Sequence, residues 1–241
     1  MNCIFVLAGN CRTFVDCIDS IYERVILKMF DVHKTNIYIY LYLKLTDPGP
    51  KGQKGWNFTY KDNDKDIIIN KIIKLSEEYK IQIDYKLLYT NEIADEELLS
   101  QIKDRTKYIE YFNMGNLMMR AIHCHYNFEK CGEFIEEKER KENIKFDYIV
   151  YVRPDLYFTE DCKPINEYDA NLVTAALEPM LNNDLLAIIP RNCFENFFYD
   201  RIKVYRNNTT TFYTKAEDIY FSTINYKIDY VGKYFIKREW I

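Results

Sequence analysis

Apolar and polar positions divide the chain into short segments that alternate in period. Ile4 to Ala8 is an unbroken apolar run closed by Gly9-Asn10, the pattern of a buried strand entering a loop. Ile18, Ile21, Val25 and Met29 then recur at helical spacing through Val15 to Phe30. Asn36 to Leu43 is a β-branched and aromatic run, and 46-TDPGPKGQKGWN-57 behind it reads as a loop, a candidate lid or rim. Helical spacing returns over Asp64 to Tyr79, a strand pattern over Ile81 to Tyr89, and one or two helices over Asp95 to Lys130.

The charge cluster 133-EFIEEKERKEN-143 predicts a solvated helix end or loop. Beyond it, 146-FDYIVYVRPDLYF-158 predicts a buried strand interrupted by Arg153, Pro154 and Asp155. Leu172 to Ala176 and Leu185 to Ile189 read as short strands, Cys193 to Tyr205 and Ala216 to Ile224 as helices, and Lys227 to Ile236 as a last strand. Strands alternating with helices predict an α/β fold with a mostly parallel central sheet flanked by helices. With no internal repeat and 241 residues, a single domain is expected over 1–241.

Composition narrows the function classes. Apolar residues make up 48% and charged residues 29%, a globular balance. The formal charge of -4 is spread without a basic block, which argues against nucleic-acid binding. No apolar segment is long enough for a membrane span, and the N-terminus lacks the pattern of a signal peptide. The seven cysteines, odd in number and without a CxxC pair, read as thiols of a reducing compartment, so a cytoplasmic protein is expected. Tyr, Ile, Lys and Asn are heavily used in the manner of AT-rich coding, and the tyrosines carry little functional weight.

Ligands of open α/β sheets gather outside the carboxyl ends of the strands, which picks out three places. In 7-LAGNCRTF-14, Gly9 permits close backbone approach and Arg12 offers a donor fork matched to phosphate; a tight turn with a surface arginine has the same look. At Arg153-Pro154-Asp155 the proline sets the direction of exit. Asp155 either binds a hard cation that keeps water and substrate phosphates as its other ligands, or simply forms the turn. In 213-YTKAEDIYFSTINYK-227, Glu217 and Asp218 precede an apolar helical stripe, as a general base or as acids favoured by the helix dipole.

The order AGNCRTF, YIVYVRPDLYF, 182-NNDLLAIIPRN-192 and Ala216-Glu217-Asp218 resembles small GT-A-fold nucleotide-sugar glycosyltransferases of the kind found in large DNA viruses and bacteria. The resemblance implies a GT-A-like, Rossmann-like sheet, with a nucleotide-binding part over about 1–155 and an acceptor part over about 156–241. It also implies sugar transfer from a nucleotide diphosphate donor to a glycan or other hydroxyl acceptor; a base at Asp218 would imply inversion, and a retaining course stays open. Ala8, Gly9, Asn10, Arg12, Arg153 and Asp155 would then bind the donor. Asp155 would carry a divalent cation, Mn2+ or Mg2+, Asp184 would border the acceptor, and Asp218, with Glu217 as its neighbour, would be the base. If the source is viral, the compartment would be the host cytoplasm.

The sequence departs from the family pattern in two places. The usual D-x-D appears as Arg153-Pro154-Asp155, and the late histidine of the metal shell is missing, since His33, His123 and His125 all lie early. Arg153, with Lys237 or Arg238, is the alternative source of positive charge. His123 and His125, two apart on a helical pattern, face different ways and do not read as a zinc pair. There is no Walker loop, G-x-G-x-x-G or G-x-S-x-G. A nucleotidyltransferase and a catalytically silent nucleotide-sugar-binding protein are the competing readings.

Overall fold

A computed structural model describes residues 1–11, 13–31, 34–47, 58–59, 62–89, 91–103, 115–176, 185–207, 226–229, 231 and 233–236. In chain order, β1 (Asn2–Asn10) leads to α1 (Phe14–Ile21), which continues through a π-helical turn (Tyr22–Ile26) into Leu27–Met29. Next come β2 (Asn36–Lys44), a small hairpin of β3 (Thr46–Asp47) and β4 (Phe58–Thr59), α2 (Asp62–Tyr79), β5 (Gln82–Leu88), α3 (Asp95–Ser100) and α4 (Gly115–Glu142). They are followed by β6 (Tyr148–Val152), β7 (Leu156–Phe158), β8 (Val173–Ala176), β9 (Leu186–Pro190), α5 (Phe194–Phe198), α6 (Asp200–Asn207), β10 (Tyr226–Asp229) and β11 (Tyr234–Ile236).

Seven of these strands form one sheet in the order β10-β8-β9-β6-β1-β2-β5. All its pairings are parallel except those of β9, which runs against both β6 and β8. The central strands β1, β2, β6 and β9 are largely apolar because both faces are covered, whereas the edge strands β5 and β10 carry Gln82, Asp84, Lys86, Lys227 and Asp229. Along β1, Cys3, Phe5 and Leu7 enter one core cluster with α1 and α2, whereas Ile4, Val6 and Ala8 enter another with α4 and α5. β2, β6 and β9 divide their side chains in the same way. The α/β class and mostly parallel sheet expected from the sequence are therefore present.

Two expected strands are each divided. The run 146–158 becomes β6 in the main sheet and β7, which pairs antiparallel with β11 in a separate two-stranded sheet. Likewise 227–236 supplies β10 to the main sheet and β11 to the small one. β7 lies over α1, where the Phe158 N–H donates to Ser20 Oγ (3.1 Å) and that hydroxyl donates to the Cys17 carbonyl (2.8 Å). The helix expected over Cys193 to Tyr205 is also broken, at Tyr199, into α5 and α6. The expected helix over Ala216 to Ile224 lies outside the described residues.

The charge cluster at 133–143 is helix to Glu142, and two of its charged members are buried, contrary to a wholly solvated reading. Lys138 is buried between Asp84 (2.7 Å) and Glu142 (2.6 Å). The buried Glu139 accepts hydrogen bonds from the Phe146 N–H (3.0 Å), Lys145 Nζ (2.8 Å) and Arg191 Nη2 (3.0 Å). It thereby fastens the end of α4 to the start of β6 and the segment after β9. A buried carboxylate is tolerated because each of these donors compensates its desolvation.

Arg201 is fully buried, its guanidinium stacked over Phe128 (4.2 Å) and Phe197 (4.1 Å). Burial, reinforced by the Arg201 charge, pushes His125 down from the usual 6.5 to about 3. The unfolded chain takes up a proton near pH 6.5, but the folded imidazole does so only near pH 3. The resulting stability is fully present above the unfolded value and is lost as pH falls between the two, by up to about 1.4 kcal/mol per pH unit. Urea unfolding between pH 7 and pH 4 is expected to show a steeper loss in the wild type than in His125→Gln. Equal slopes would count against a neutral, buried imidazole.

Candidate functional site

The carboxyl ends of β1, β2, β5 and β6 lie along one edge of the sheet, together with the start of the reversed β9. At the end of β6 the chain makes a tight turn, with the Leu156 N–H donating to the Arg153 carbonyl (3.3 Å). Pro154 occupies the second position of this turn, where its fixed φ is favourable. The Arg153 N–H donates to the Leu185 carbonyl (2.7 Å), tying the turn to the entry of β9.

Gly9 meets this turn from β1. Its φ is +139°, a conformation that side-chain-bearing residues rarely adopt, and a Cβ there would stand 3.4 Å from Pro154 Cδ. The two sequence motifs, some 145 residues apart, thus touch at the sheet edge. The Tyr151 hydroxyl donates to the Ala8 carbonyl (3.1 Å) and braces the same junction from the opposite face. Gly9→Ala is expected to lose about 1–3 kcal/mol in urea unfolding, with the backbone rather than the available space as the cause. An unchanged midpoint would mean that the turn relaxes without strain.

The Arg153 and Asp155 side chains close on one another. Arg153 Nε donates to Asp155 Oδ1 (2.9 Å) and Arg153 Nη2 to Asp155 Oδ2 (2.7 Å), a two-point charge-assisted pair. Asp155 is almost sealed, with side-chain exposure of 1%, and Arg153 reaches the surface at 22%. The guanidinium takes one lone pair on each Asp155 oxygen, and the carboxylate is sealed at 1% exposure, so it offers no open face to a hydrated divalent cation and the side chains as arranged do not fit one. Among the described residues, no three His, Cys, Asp or Glu side chains gather in a way that could hold a metal ion.

Further along the edge lies a polar group that sequence reasoning did not single out. Asn10 stands opposite Lys44 in the β1–β2 register, and the Cys11 N–H donates to the Lys44 carbonyl (3.0 Å). Lys44 Nζ donates to Asn91 Oδ1 (2.6 Å) beyond β5, and next to that amide Glu92 accepts from Lys86 and the Tyr42 hydroxyl. Burial alone would raise the Glu92 carboxyl, but these two hydrogen bonds outweigh it and hold it below the usual carboxylate value. Lys44 was detectable by the strand-end rule; Asn91 and Glu92, in a short polar loop, carried no comparable signal.

Of the residues expected at the site, Ala8, Gly9, Asn10, Arg153 and Asp155 are described, and they gather at this edge. Arg12, Asp184, Glu217, Asp218, Lys237 and Arg238 lie outside the described residues. His123 and His125 occupy separate surroundings, His123 bonded to Asp95 through Nε2 (2.7 Å) and His125 packed near Tyr205. No helix of the described residues is long and apolar enough to cross a membrane.

No protein-family model matches the chain, and no curated protein matches it in sequence. Among solved structures it is similar to the galactosyltransferase LgtC in complex with donor and acceptor sugar analogues. That match has 10% identity over 95% of this chain and 73% of that one, with a TM-score of 0.44. It is similar also to the apo form of mouse xyloside xylosyltransferase 1, at 7% identity over 91% of this chain and 80% of that one, with a TM-score of 0.42. A third similar structure is the bifunctional glycosyltransferase WbbM, at 10% identity over 96% of this chain and 38% of that one, with a TM-score of 0.41.

Proposed function

We propose that the protein is a GT-A-like glycosyltransferase that moves a sugar from a nucleoside diphosphate sugar to a hydroxyl acceptor. The contact between Gly9 and Pro154 carries this reading, because it joins the two donor-side motifs of the sequence at the edge where α/β sheets bind ligands. The donor diphosphate would lie against the backbone of Ala8, Gly9 and Asn10, which lacks a side chain at its closest point. Arg12 and Arg153 would balance the charge that develops on the departing diphosphate. Asp218, with Glu217 beside it, would remove the acceptor proton with inversion, and Asp184 would border the acceptor. For these three residues the support is the motif order of the sequence.

The test is incubation with a panel of nucleotide sugars and a mixed set of hydroxyl acceptors, with and without Mn2+, followed by product analysis. Release of nucleoside diphosphate with sugar joined to an acceptor is the expected result. Release of pyrophosphate would identify a nucleotidyltransferase instead. No turnover together with a rise in melting temperature would identify a binding protein, since a ligand at a hundred times its Kd adds about 2.7 kcal/mol to the fold.

A further inference from the structure

Resting on that reading, we infer that Asp155 is a positioning residue for Arg153 and not a metal ligand, so that the donor diphosphate is bound without a divalent cation. In a D-x-D site two carboxylates present open lone pairs to a hard cation. Here the first position is Arg153, and both oxygens of the second are already engaged by its Nε and Nη2 at 2.9 and 2.7 Å. The difference in exposure gives the direction: the carboxylate is sealed at 1%, while the guanidinium reaches the surface at 22%. Asp155 therefore acts from behind: it takes the Nε–Nη2 edge of the guanidinium and fixes its plane, so that the edge a phosphate would meet is the one formed by Nη1 and the second Nη2 proton.

The backbone supports this orientation. Pro154 is packed beside Gly9, and the Arg153 N–H is tied to the Leu185 carbonyl at 2.7 Å, so the turn that spaces the two side chains is held from both sides. Reorienting Asp155 toward a cation would break the pair and leave its carboxylate to be resolvated in a sealed position. The Arg153–Asp155 pair has no net charge, so it offers the diphosphate oriented donors and not the two positive charges of a bare cation. Arg12, just beyond Gly9 in sequence, is the residue expected from the sequence to supply positive charge.

Calorimetric titration of UDP and of GDP into the intact wild-type chain, in EDTA and in Mn2+, tests the inference, alongside electron paramagnetic resonance of Mn2+ with the protein alone. Expected are affinities in EDTA within about threefold of those in Mn2+, no stoichiometric Mn2+ uptake, and at least about a tenfold loss in Arg153→Lys, which keeps the charge but not the fork. Metal-dependent nucleotide binding overturns the inference alone and leaves the proposed transfer standing. So does Mn2+ uptake that disappears in Asp155→Asn. Failure of UDP, GDP and, titrated in the same way, ADP, CDP and dTDP to bind under either condition overturns both.

Discussion

Arg153→Met is expected to destabilise the fold by about 3–5 kcal/mol, because it leaves the sealed Asp155 carboxylate charged and without its two-point partner. For a chain of this length that corresponds to a fall in melting temperature of roughly 6–20 °C. The penalty belongs to the uncompensated charge and not to the lost contact. The double variant Arg153→Met with Asp155→Asn should therefore recover more than half of the loss in urea unfolding, since no buried charge remains. The double variant should nonetheless bind nucleoside diphosphate poorly, because the fork is gone in both variants. Stability and ligand binding are thus expected to separate. A single variant that unfolds within about 1 kcal/mol of wild type would show that the pair is solvated or dispensable.

Asp218→Asn is expected to lower the transfer rate by about 10²- to 10⁴-fold with donor affinity nearly unchanged, the signature of a lost general base. Glu217 and Asp218 are adjacent, and at a helix start their side chains diverge by roughly 100°, so only one can face the reacting groups. Phe221 and Ile224 mark the apolar stripe of the expected helix. At about 100° per residue Glu217, four and seven residues before them, would fall within about 40° of that core-facing stripe, while Asp218 would be turned about 60° to 120° away from it, so the choice of Asp218 as base rests on the motif order of the sequence. Initial rates measured at saturating donor, together with calorimetric donor affinity, separate the possibilities. Intact turnover with a lowered melting temperature would make Asp218 a helix cap and move the search for the base to Glu217, then Asp184.

Local pattern determined the strands at the centre of the sheet. β1, β2 and β6 read as continuous apolar runs because each is buried on both faces, and a strand covered twice has no polar side to show. The turn at Arg153-Pro154-Asp155 was equally legible, since proline fixes φ wherever it stands. Direction was not: Leu186–Pro190 is apolar on both faces whichever way it runs, and only pairing with β6 and β8 reverses it. The division of 146–158 between two sheets depends on β11, some 80 residues later, and no local period encodes such a distant partner.

Charged residues show the same boundary most sharply. By composition, Lys138, Glu139 and Arg201 belong to solvated helix faces, yet all three are buried. Beside the local partners Glu142 and Lys145, much of what compensates them comes from elsewhere in the chain: Asp84 for Lys138, Arg191 and the Phe146 N–H for Glu139, and the rings of Phe128 and Phe197 for Arg201. At the candidate site, the sequence placed a cation and a carboxylate two residues apart around a proline. Which of the two would face a ligand was decided by packing, because desolvation falls on whichever group the neighbouring elements cover, and the fold covers Asp155.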